Sequence, residues 1–375
     1  MKHIASTIIL VLALSLSLAS CATVRNRKTV AKTVSITSLQ GFPADEEGYQ
    51  LGVSACFAGQ IDGYLIMAGG CNFLQPGKKK YYTGIYAAPL GSDTLRWKLV
   101  GHLPHPAAYG GCVAIGRELW LIGGCNNDGS HDLVLRLKLS DDHRSALLDT
   151  IGRLPVTADN MAVAVDNGRI YMFGGNQNGH PSSALWATDA SKNDAWHRLA
   201  DAPGAPRVQP VCAAAGGKVY VWGGFFADGQ QSVVHTSGCL YDAKKAQWTS
   251  LPAPKSAGGE ALTLVGGIAA QPSDAACIVC LGGVNKDIFW DAISGTYSKV
   301  SAADYLKKPV EWYRFNADML VFDLKSQSWL PVPATDARLA RAGAQLVCAH
   351  GKCIYVGGEL KPSVRTPEIV EIDCK

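Results

Sequence analysis

Short apolar runs that end in two glycines recur along this chain almost from end to end. The paired glycines are Gly69-Gly70, Gly123-Gly124, Gly174-Gly175, Gly223-Gly224, Gly282-Gly283 and Gly357-Gly358. Their first members lie 54, 51, 49, 59 and 75 residues apart. Short apolar runs bounded by turn residues are typical of buried β-strands. Repetition at a nearly fixed period indicates a fold assembled from similar units.

The third unit shows the plan of each repeat. Asn160–Val165 is predicted as an inner strand, and Asn167-Gly168 is a tight-turn signal. Arg169–Phe173 returns as the second strand, followed by Ser183–Thr188 and Trp196–Leu199 as the third and outer strands. A period of roughly 50 residues is that of kelch repeats. The sequence therefore predicts an all-β protein, a six-bladed kelch-type β-propeller.

The two ends of the chain are predicted to complete one blade together. Only 17 residues follow Gly358, and they contain a single strand, Glu368–Asp373. Thr33–Leu39 supplies the missing outer strand, which closes the ring and removes exposed sheet edges. Residues 33–375 are thus expected to form a single propeller, preceded by a linker at 22–32. Outer-strand tryptophans are expected to pack between neighbouring blades: Trp97, Trp196, Trp248 and Trp329.

Residues 1–21 are predicted to be a lipoprotein signal peptide. Lys2 precedes an apolar stretch, Ile8–Leu18, that is too short to span a bilayer comfortably. The following Leu-Ala-Ser-Cys resembles a bacterial lipobox, so Cys21 is the expected lipidation site. Ala22, rather than an acidic residue, follows it and favours the outer membrane. We expect a lipid-anchored envelope protein that faces the periplasm.

Composition narrows the range of functions. The chain has 35 basic and 31 acidic residues, and its only basic triplet, Lys78-Lys79-Lys80, is interpreted as a solvated loop tip. A nucleic-acid partner is not expected. Of twelve cysteines, eleven remain besides Cys21, an odd number that leaves at least one unpaired. Those within predicted strands are interpreted as small buried hydrophobes: Cys56, Cys112, Cys212, Cys280, Cys348 and Cys353.

No metal site is predicted from the spacing of potential ligands. Cys277 and Cys280 form the one Cys-x-x-Cys sequence, but strand alternation points them to opposite faces. The nine histidines are dispersed. This argues against a copper oxidase of the kelch type, which needs clustered His and Tyr ligands.

Functional side chains are expected on the loops that follow each Gly-Gly pair and on the links into each inner strand. Both sets of loops emerge on the same face of an up-and-down blade. The longest, Val284–Arg314, is rich in aromatic residues and has a helical pattern around Ala302–Lys308. It is expected to roof a site on that face.

Several of these loops carry a family resemblance. Gly358–Thr366 reads Gly-Glu-Leu-Lys-Pro-Ser-Val-Arg-Thr and resembles the signature of bacterial N-acetylneuraminate epimerases, or sialic acid mutarotases. Gly282–Phe289, Pro206–Gln209 and Ala108–Gly110 resemble other segments of that family. The resemblance covers roughly residues 30–375, with the blade order rotated as in a cyclically permuted branch. Such permutation is tolerated where the chain termini meet.

The resemblance implies interconversion of the anomers of sialic acid without a metal or redox cofactor. It implies that Glu359 is the catalytic acid/base and Arg365 the essential arginine. The further residues that it suggests for substrate binding are Arg207, Glu260, Asn285, Tyr109 and Lys361. Glu260 stands where the family pattern would have a histidine, which adds a carboxylate near the expected site.

The chemistry suits these residue types. Mutarotation opens a cyclic hemiketal and recloses it, and one carboxyl that shuttles a proton can serve both steps. A guanidinium binds the substrate carboxylate through two parallel hydrogen bonds. Two alternatives remain open from sequence: Glu359 and Arg365 form an inconsequential surface ion pair, or the propeller is a non-catalytic module that binds glycan or protein. The sequence predicts no oligomeric state.

Overall fold

A computed structural model describes residues 34–75, 77–192, 195–272, 275–349 and 351–374. The predicted signal peptide with Cys21, and the whole of the predicted linker, lie outside these residues. Among the residues described, no helix is both long and apolar enough to cross a membrane.

Six antiparallel sheets, each with four principal strands, surround a central channel, and two of them have a short fifth strand. Their strands run from the channel outward in the following order. Blade 1 contains Phe57–Ile61, Tyr64–Ala68, Gly84–Pro89 and Lys98–His102; blade 2 contains Gly111–Ile115, Glu118–Ile122, Leu133–Leu139 and Ala146–Arg153. Blade 3 contains Ala162–Asp166, Arg169–Phe173, Leu185–Asp189 and His197–Arg198; blade 4 contains Val208–Ala215, Lys218–Ala227, Gly238–Asp242 and Gln247–Leu251. Blade 5 contains Ile268–Ala270, Cys277–Leu281, Asp318–Asp323 and Ser328–Trp329; blade 6 contains Gln345–Ala349, Lys352–Val356, Ile369–Cys374 and Val34–Leu39.

The N-terminal strand closes the ring as the sequence predicts. Val34–Leu39 pairs antiparallel with Ile369–Cys374, with Ile36 opposite Ile372. Arg338 reinforces this closure, because its guanidinium donates to the Ile36 carbonyl and to the Ser38 hydroxyl, both at 2.8 Å. The blade built from both chain ends is therefore bonded to its neighbour through side chains as well as through packing.

A cluster of buried apolar side chains lies in each of the six interfaces between neighbouring blades. The outer-strand tryptophans take part as predicted. The indole N–H of Trp97 donates to the Gly41 carbonyl, and that of Trp248 donates to the Ala200 carbonyl. Each of these bonds reaches the link that leaves the preceding blade. The core is therefore continuous around the ring rather than central.

The Gly-Gly pairs exist because the next blade approaches them too closely for a side chain. Gly123 has a φ of 58°, and a Cβ there would lie 2.5 Å from the Ala158 carbonyl oxygen. The N–H of Gly124 donates to the same carbonyl at 2.8 Å. Ala158 belongs to the link that enters blade 3. In four further pairs the N–H of the second glycine donates to a backbone carbonyl in the link of the next blade. These glycines are Gly70, Gly175, Gly283 and Gly358.

A closed ring of six backbone hydrogen bonds surrounds one mouth of the channel. Its members, one on each link, are Ala55, Tyr109, Asn160, Gln209, Gly266 and Gly343, and all have left-handed φ values. Each N–H donates to the carbonyl of the member in the preceding blade, at 2.7 to 3.1 Å, and Ala55 completes the circle by donating to Gly343. We call this set the mouth ring.

Hairpins and helices rise from the same face as the mouth ring. The hairpins are Cys71–Gln75 with Lys78–Tyr81, Cys125–Asn126 with Gly129–Ser130, Asn176–Gln177 with His180–Pro181, and Glu359–Lys361 with Val364–Arg365. In blade 4, Ser232–Val234 folds back on the long second strand. Blade 5 carries the roof, residues 284–314, with α1 (Lys286–Ile293), α2 (Ala302–Tyr305) and a 3₁₀ turn at Val310–Tyr313. The helix predicted near residue 302 is present, whereas α1 was not predicted.

Four of the remaining short elements belong to the links: the strands Ala158–Asp159 and Ala334–Thr335 and the 3₁₀ turns Tyr49–Leu51 and Ala337–Leu339. A further 3₁₀ turn, Ala190–Lys192, lies between the third and outer strands of blade 3.

Two of the cysteines interpreted as buried hydrophobes form a disulfide instead. Cys348 and Cys353 lie directly opposite each other in the inner strands of blade 6 and are bonded. Direct opposition across a tight hairpin brings their Cβ atoms close enough for the two sulfur atoms to bond. The alternation of side chains along each strand does not reveal this pairing. Cys56, Cys212 and Cys280 are buried thiols, as interpreted.

We expect Gly123→Ala to destabilise the propeller far more than Gly116→Ala. Both glycines lie in blade 2 with a φ of 58°, but a Cβ at Gly116 would meet nothing within 4 Å. Gly116→Ala should cost about 1–2 kcal/mol for the left-handed backbone alone. Gly123→Ala should add about 1–3 kcal/mol for the clash with the Ala158 carbonyl. Urea unfolding of both variants measures the difference, and equal losses would contradict the proposed role of the pair.

Candidate active site at the channel mouth

The hairpin of blade 6 brings Glu359 and Arg365 into register. The two residues lie directly opposite each other, and Ser363 at the turn has a left-handed φ of 69°. Glu359 also exchanges two backbone hydrogen bonds with Ala342, at 2.7 and 2.9 Å. Ala342 immediately precedes Gly343 of the mouth ring, so this pairing holds the carboxyl group at the edge of the mouth. The Arg365 guanidinium donates through Nη1 to Glu359 Oε2.

Burial makes this ion pair unlike an ordinary surface pair. The Arg365 side chain is 3% exposed and that of Glu359 is 22% exposed. Desolvation raises the pKa of Glu359, although the positive charges of Arg365 and Lys79 act in the opposite direction. Burial by itself lowers the pKa of Arg365, but the interactions with Glu359, Tyr109 and Cys71 together outweigh it and the pKa is raised. The site thus combines a permanent cation, Arg365, with a carboxyl group whose raised pKa favours its protonated form.

Three aromatic rings surround a second cation beside this pair. Lys79 Nζ lies 4.8 Å from the ring centroid of Tyr109, 5.7 Å from that of Phe73 and 5.8 Å from that of Tyr81. Its ammonium group donates to the Tyr109 hydroxyl at 3.3 Å. The Arg365 guanidinium lies 5.1 Å from the same Phe73 ring. The interpretation of the lysine triplet as a solvated loop tip is therefore wrong for Lys79, because strand pairing in the blade 1 hairpin turns it toward the aromatic rings.

Tyr109 connects the mouth ring to the ion pair. The Cys71 thiol donates to its hydroxyl at 3.6 Å. Burial raises the pKa of Tyr109, with the Cys71 thiol adding to the effect, the Arg365 charge opposing it and the Glu359 charge adding again. The phenol is therefore neutral at physiological pH and has a proton to donate. Of the predicted substrate-binding residues, Tyr109 is the one that the structure brings together with Glu359 and Arg365.

The roof covers the Glu359 side of this cluster. The charge of Glu359 raises the pKa values of Tyr305 and Tyr313, although burial is the larger cause for both. Lys361 fastens the roof, because its ammonium donates to the carbonyls of Leu306 at 3.1 Å and Lys308 at 2.6 Å. The structure thus gives Lys361 a structural contact, and its role in substrate binding stays a prediction.

A second polar network occupies the neighbouring part of the mouth. The buried carboxylate of Asp159 accepts hydrogen bonds from Ser130, from Asn160 at 2.6 Å and from Asn176 at 2.8 Å. Asn160 in turn accepts a bond from the Gln209 amide at 2.9 Å. Asn160 and Gln209 follow Tyr109 around the mouth ring, so these three side chains form a continuous polar half-circle.

Three other predicted site residues are placed elsewhere. Arg207 is 4% exposed, and its Nη1 donates to the carbonyls of Gly223 at 2.6 Å and Ser237 at 3.3 Å. Asn285 is the N-cap of α1, with its side-chain oxygen accepting from two backbone N–H groups. Both residues therefore have structural partners. Glu260 is exposed in a turn closed by Ser256, and the structure does not bring it into contact with Glu359.

The channel itself is nearly free of ionisable groups. It encloses about 300 Å³ and is lined mainly by small apolar side chains of the inner strands. Its cysteines are Cys112, whose pKa burial raises to about 12, and Cys212, whose pKa burial also raises. The walls of the channel therefore offer no group suited to acid/base chemistry at neutral pH. Within the described ranges, no three His, Cys, Asp or Glu side chains are grouped to hold a metal ion.

Sequence reasoning missed the residues that come from blades 1 to 3. They are Cys71, Phe73, Lys79, Tyr81, Asp159 and Asn160, whereas the aromatic roof that carries Tyr305 and Tyr313 was expected over this face. The loop from Cys71 to Tyr82 was among the long loops on the correct face. Aromatic residues on both sides of the lysine triplet were the available signal, since such rings attract cations once hairpin pairing brings them together.

The fold and the site together define a six-bladed kelch-type propeller with a buried carboxylate–guanidinium pair at one mouth of its channel. A sequence model of the N-acetylneuraminate epimerase family matches residues 178–375, which include this pair. The chain therefore belongs to the N-acetylneuraminate epimerase family.

Comparison with individual proteins supports the same family. The chain is 30% identical to an N-acetylneuraminate epimerase of Yersinia enterocolitica over 215 residues, which are 51% of this chain and 50% of that protein. It is 29% identical to N-acetylneuraminate epimerases of Escherichia coli O9:H4 and Shigella flexneri serotype 5b, each over 58% of this chain and 59% of the relative. The chain thus spans about half the length of the curated relatives that it matches.

We expect Lys79→Met to raise the pKa of Glu359, because it removes a positive charge that stabilises the carboxylate. The shift should be up to about one pH unit. Lys78→Met is the matched control, since Lys78 is exposed in the same strand and its replacement should leave this pKa unchanged. ¹³C NMR titration of labelled glutamate carboxyl groups measures both variants. An unaltered titration of Glu359 in Lys79→Met would show that Lys79 does not belong to the site.

Proposed function

We propose that this protein is a sialic acid mutarotase that interconverts the α- and β-anomers of N-acetylneuraminate. The observation that carries the proposal is the pairing of Glu359 with Arg365 at the channel mouth, one partly exposed and the other almost wholly buried. The similar proteins of Yersinia enterocolitica and Escherichia coli are N-acetylneuraminate epimerases, which supports the choice of substrate. A sugar acid of this kind has a carboxylate on the anomeric carbon, which matches the charge of Arg365.

In this proposal Arg365 binds the substrate carboxylate. Its Nη1 bonds to Glu359, whereas its Nε has no hydrogen-bond partner among the described residues. A guanidinium offers five donors in a planar fork, so it can serve an internal carboxylate and a bound one at the same time. Lys79 adds a second positive charge on the same side, and Tyr109 supplies a neutral hydroxyl donor.

Glu359 carries the proton. Its carboxylate accepts the proton of the anomeric hydroxyl while the bond between the anomeric carbon and the ring oxygen breaks. The protonated carboxyl then gives that proton to the former ring oxygen, which leaves an open-chain keto acid. After the carbonyl group presents its other face, the same two transfers run in reverse and close the opposite anomer. Atoms and electrons balance with one carboxyl group, and the raised pKa of Glu359 suits it to both directions.

Two variants separate these roles. Glu359→Gln keeps the shape of the side chain but removes its proton-carrying group, so kcat should fall by about 10² to 10⁴. Arg365→Lys keeps the charge but loses the planar fork, so the main effect should be a rise in KM of about tenfold or more. The assay is proton NMR of freshly released α-anomer. A folded Glu359→Gln protein with near wild-type kcat would exclude Glu359 as the proton carrier, and inactive wild-type protein would favour a non-catalytic binding module.

The pH dependence gives Glu359 a further signature. The reaction needs the deprotonated carboxylate in the free enzyme, so kcat/KM should fall as pH is lowered through the pKa of Glu359. Since burial raises that pKa, the fall should occur at a higher pH than for a solvent-exposed glutamate. The acidic limb should disappear in Glu359→Gln. A limb that persists in this variant would belong to another group.

We also infer that the blade order is cyclically permuted relative to the family. A rotated order leaves only part of the two chains collinear, which accounts for matches that cover about half of each. The propeller tolerates such a rotation because the strands near its two ends pair in blade 6.

We propose, finally, that the protein is a lipoprotein of the outer membrane that faces the periplasm. The lipobox-like sequence at Cys21 supports this proposal, and the Cys348–Cys353 disulfide suits an oxidising compartment. Labelled palmitate should be incorporated into the wild-type protein but not into Cys21→Ala. Equal labelling of both, or labelling of neither, would contradict lipidation at Cys21.

A further inference from the structure

Six equivalent side chains stand around the mouth ring, one directly after each Gly-Gly pair. They are Cys71, Cys125, Asn176, Phe225, Val284 and Glu359. Each pairs through its backbone with the residue just before a ring member, as Glu359 does with Ala342 and Cys71 with Ser54. Their shared backbone pairing gives all six a similar direction, so the known position of Glu359 also locates Phe225 and Val284 at the mouth.

The nature of these side chains divides the mouth into two halves. Blades 6, 1, 2 and 3 supply the ion pair, Lys79, Tyr109 and the Asp159 network described above. Blade 4 adds Gln209 to that network, but the residue after its Gly-Gly pair is Phe225. Blade 5 supplies Val284, and its mouth-ring member is Gly266, which has no side chain. The mouth is therefore polar on one side and apolar on the other.

The apolar half forms a single cluster that we call the apolar arc: Phe225, Val284, Phe289, Phe315 and Ala342. Phe289 lies on α1 of the roof, and its ring meets that of Phe225 edge to face, with centroids 5.1 Å apart. Val284 and Ala342 are buried, whereas the three phenylalanines are only half-buried. The rings therefore retain apolar surface that a ligand can cover.

The apolar arc adjoins Glu359 directly. Ala342 is a member of the arc and exchanges both backbone hydrogen bonds with Glu359. The ring centroid of Phe315 lies 6.3 Å from that of Tyr313, whose pKa responds to the Glu359 charge. Glu359 thus stands at the boundary, with Arg365 and Lys79 on one side and the arc on the other.

We propose that the apolar arc binds the acyl methyl group of the substrate and makes the enzyme specific for 5-acylamido sugar acids. The inference rests on the proposed mutarotase function. In such a sugar the carboxylate is on the anomeric carbon and the acylamido group is on the carbon across the six-membered ring. A sugar with its anomeric centre at Glu359 and its carboxylate on Arg365 directs the acyl group away from the polar half and toward the phenylalanines.

The test compares two substrates that differ at this position alone: N-acetylneuraminate, and the deaminated analogue with a hydroxyl in place of the acetamido group. A methyl group in an apolar pocket contributes about tenfold or more to specificity. Wild-type protein should therefore favour the acetamido sugar. Phe289→Ala should lower its kcat/KM for that sugar by about tenfold and change the value for the hydroxyl analogue by less than about twofold. Phe289→Leu, a milder change that preserves an apolar core side chain, should give an intermediate loss.

Trp290→Ala is the matched control. Trp290 follows Phe289 on α1 but is 43% exposed, and its indole N–H donates to the Ser232 carbonyl at 3.0 Å. Its replacement should alter the attachment of the roof without changing the preference between the two sugars. Equal losses for both sugars in the Phe289 variants would overturn the specificity proposal and leave the mutarotase function standing. A wild-type protein inactive on both sugars would overturn the proposed function and this inference with it.

Discussion

The mouth ring is the constraint on which the functional face of this protein depends. Six links from six blades are held to one another by a closed circle of backbone hydrogen bonds. Each member adopts a left-handed backbone conformation, which is unfavourable for residues such as Tyr109 and Gln209. Packing of the neighbouring blades against the Gly-Gly pairs holds the links in place and sustains that conformation. Tyr109 is a member of this ring, and Glu359 pairs with the residue beside another member, so the ring positions both side chains.

That arrangement explains how residues far apart in sequence produce one reactive centre. Glu359 and Arg365 come from blade 6, Lys79 and Phe73 from blade 1, and Tyr109 from the link into blade 2. Because the blades are fixed rigidly at the mouth, a buried guanidinium can remain close to a carboxyl group that burial displaces toward protonation. A loose loop would let water solvate both charges, and the pKa of Glu359 would return toward its ordinary value. The rigid ring therefore supports the tuning of the proposed proton carrier.

The sequence predicted the fold correctly where the conformation of a few neighbouring residues determines which residue types are allowed. A left-handed φ together with a close approach from the next blade permits only glycine, so the paired glycines revealed the repeat and the number of blades. The prediction that Thr33–Leu39 completes blade 6 was also correct, because the lone strand after Gly358 lacked a partner. The contacts that decide the site are not local. Lys79 appeared to be a solvated charge because its aromatic partners meet it only after hairpin pairing and blade packing.

Arg207 shows a second reason why sequence motifs do not identify every site residue. Its motif matches the family, yet the structure buries its guanidinium against the carbonyls of Gly223 and Ser237. Arg341 makes the equivalent contact with the Gly357 carbonyl at 3.0 Å. An arginine that fastens a Gly-Gly pair and an arginine that binds a ligand look alike in a motif, and only the geometry of their acceptors separates them.

The proposed chemistry requires a sugar acid to bind at the mouth with its anomeric carbon beside Glu359. A crystal structure of Glu359→Gln soaked with N-acetylneuraminate would show this arrangement. We expect the substrate carboxylate on Arg365, the anomeric oxygen within hydrogen-bond distance of residue 359, and the acetyl methyl group against Phe289. A sugar bound inside the channel, or in the groove between Trp120 and Trp196 at the outer edge of blades 2 and 3, would contradict it.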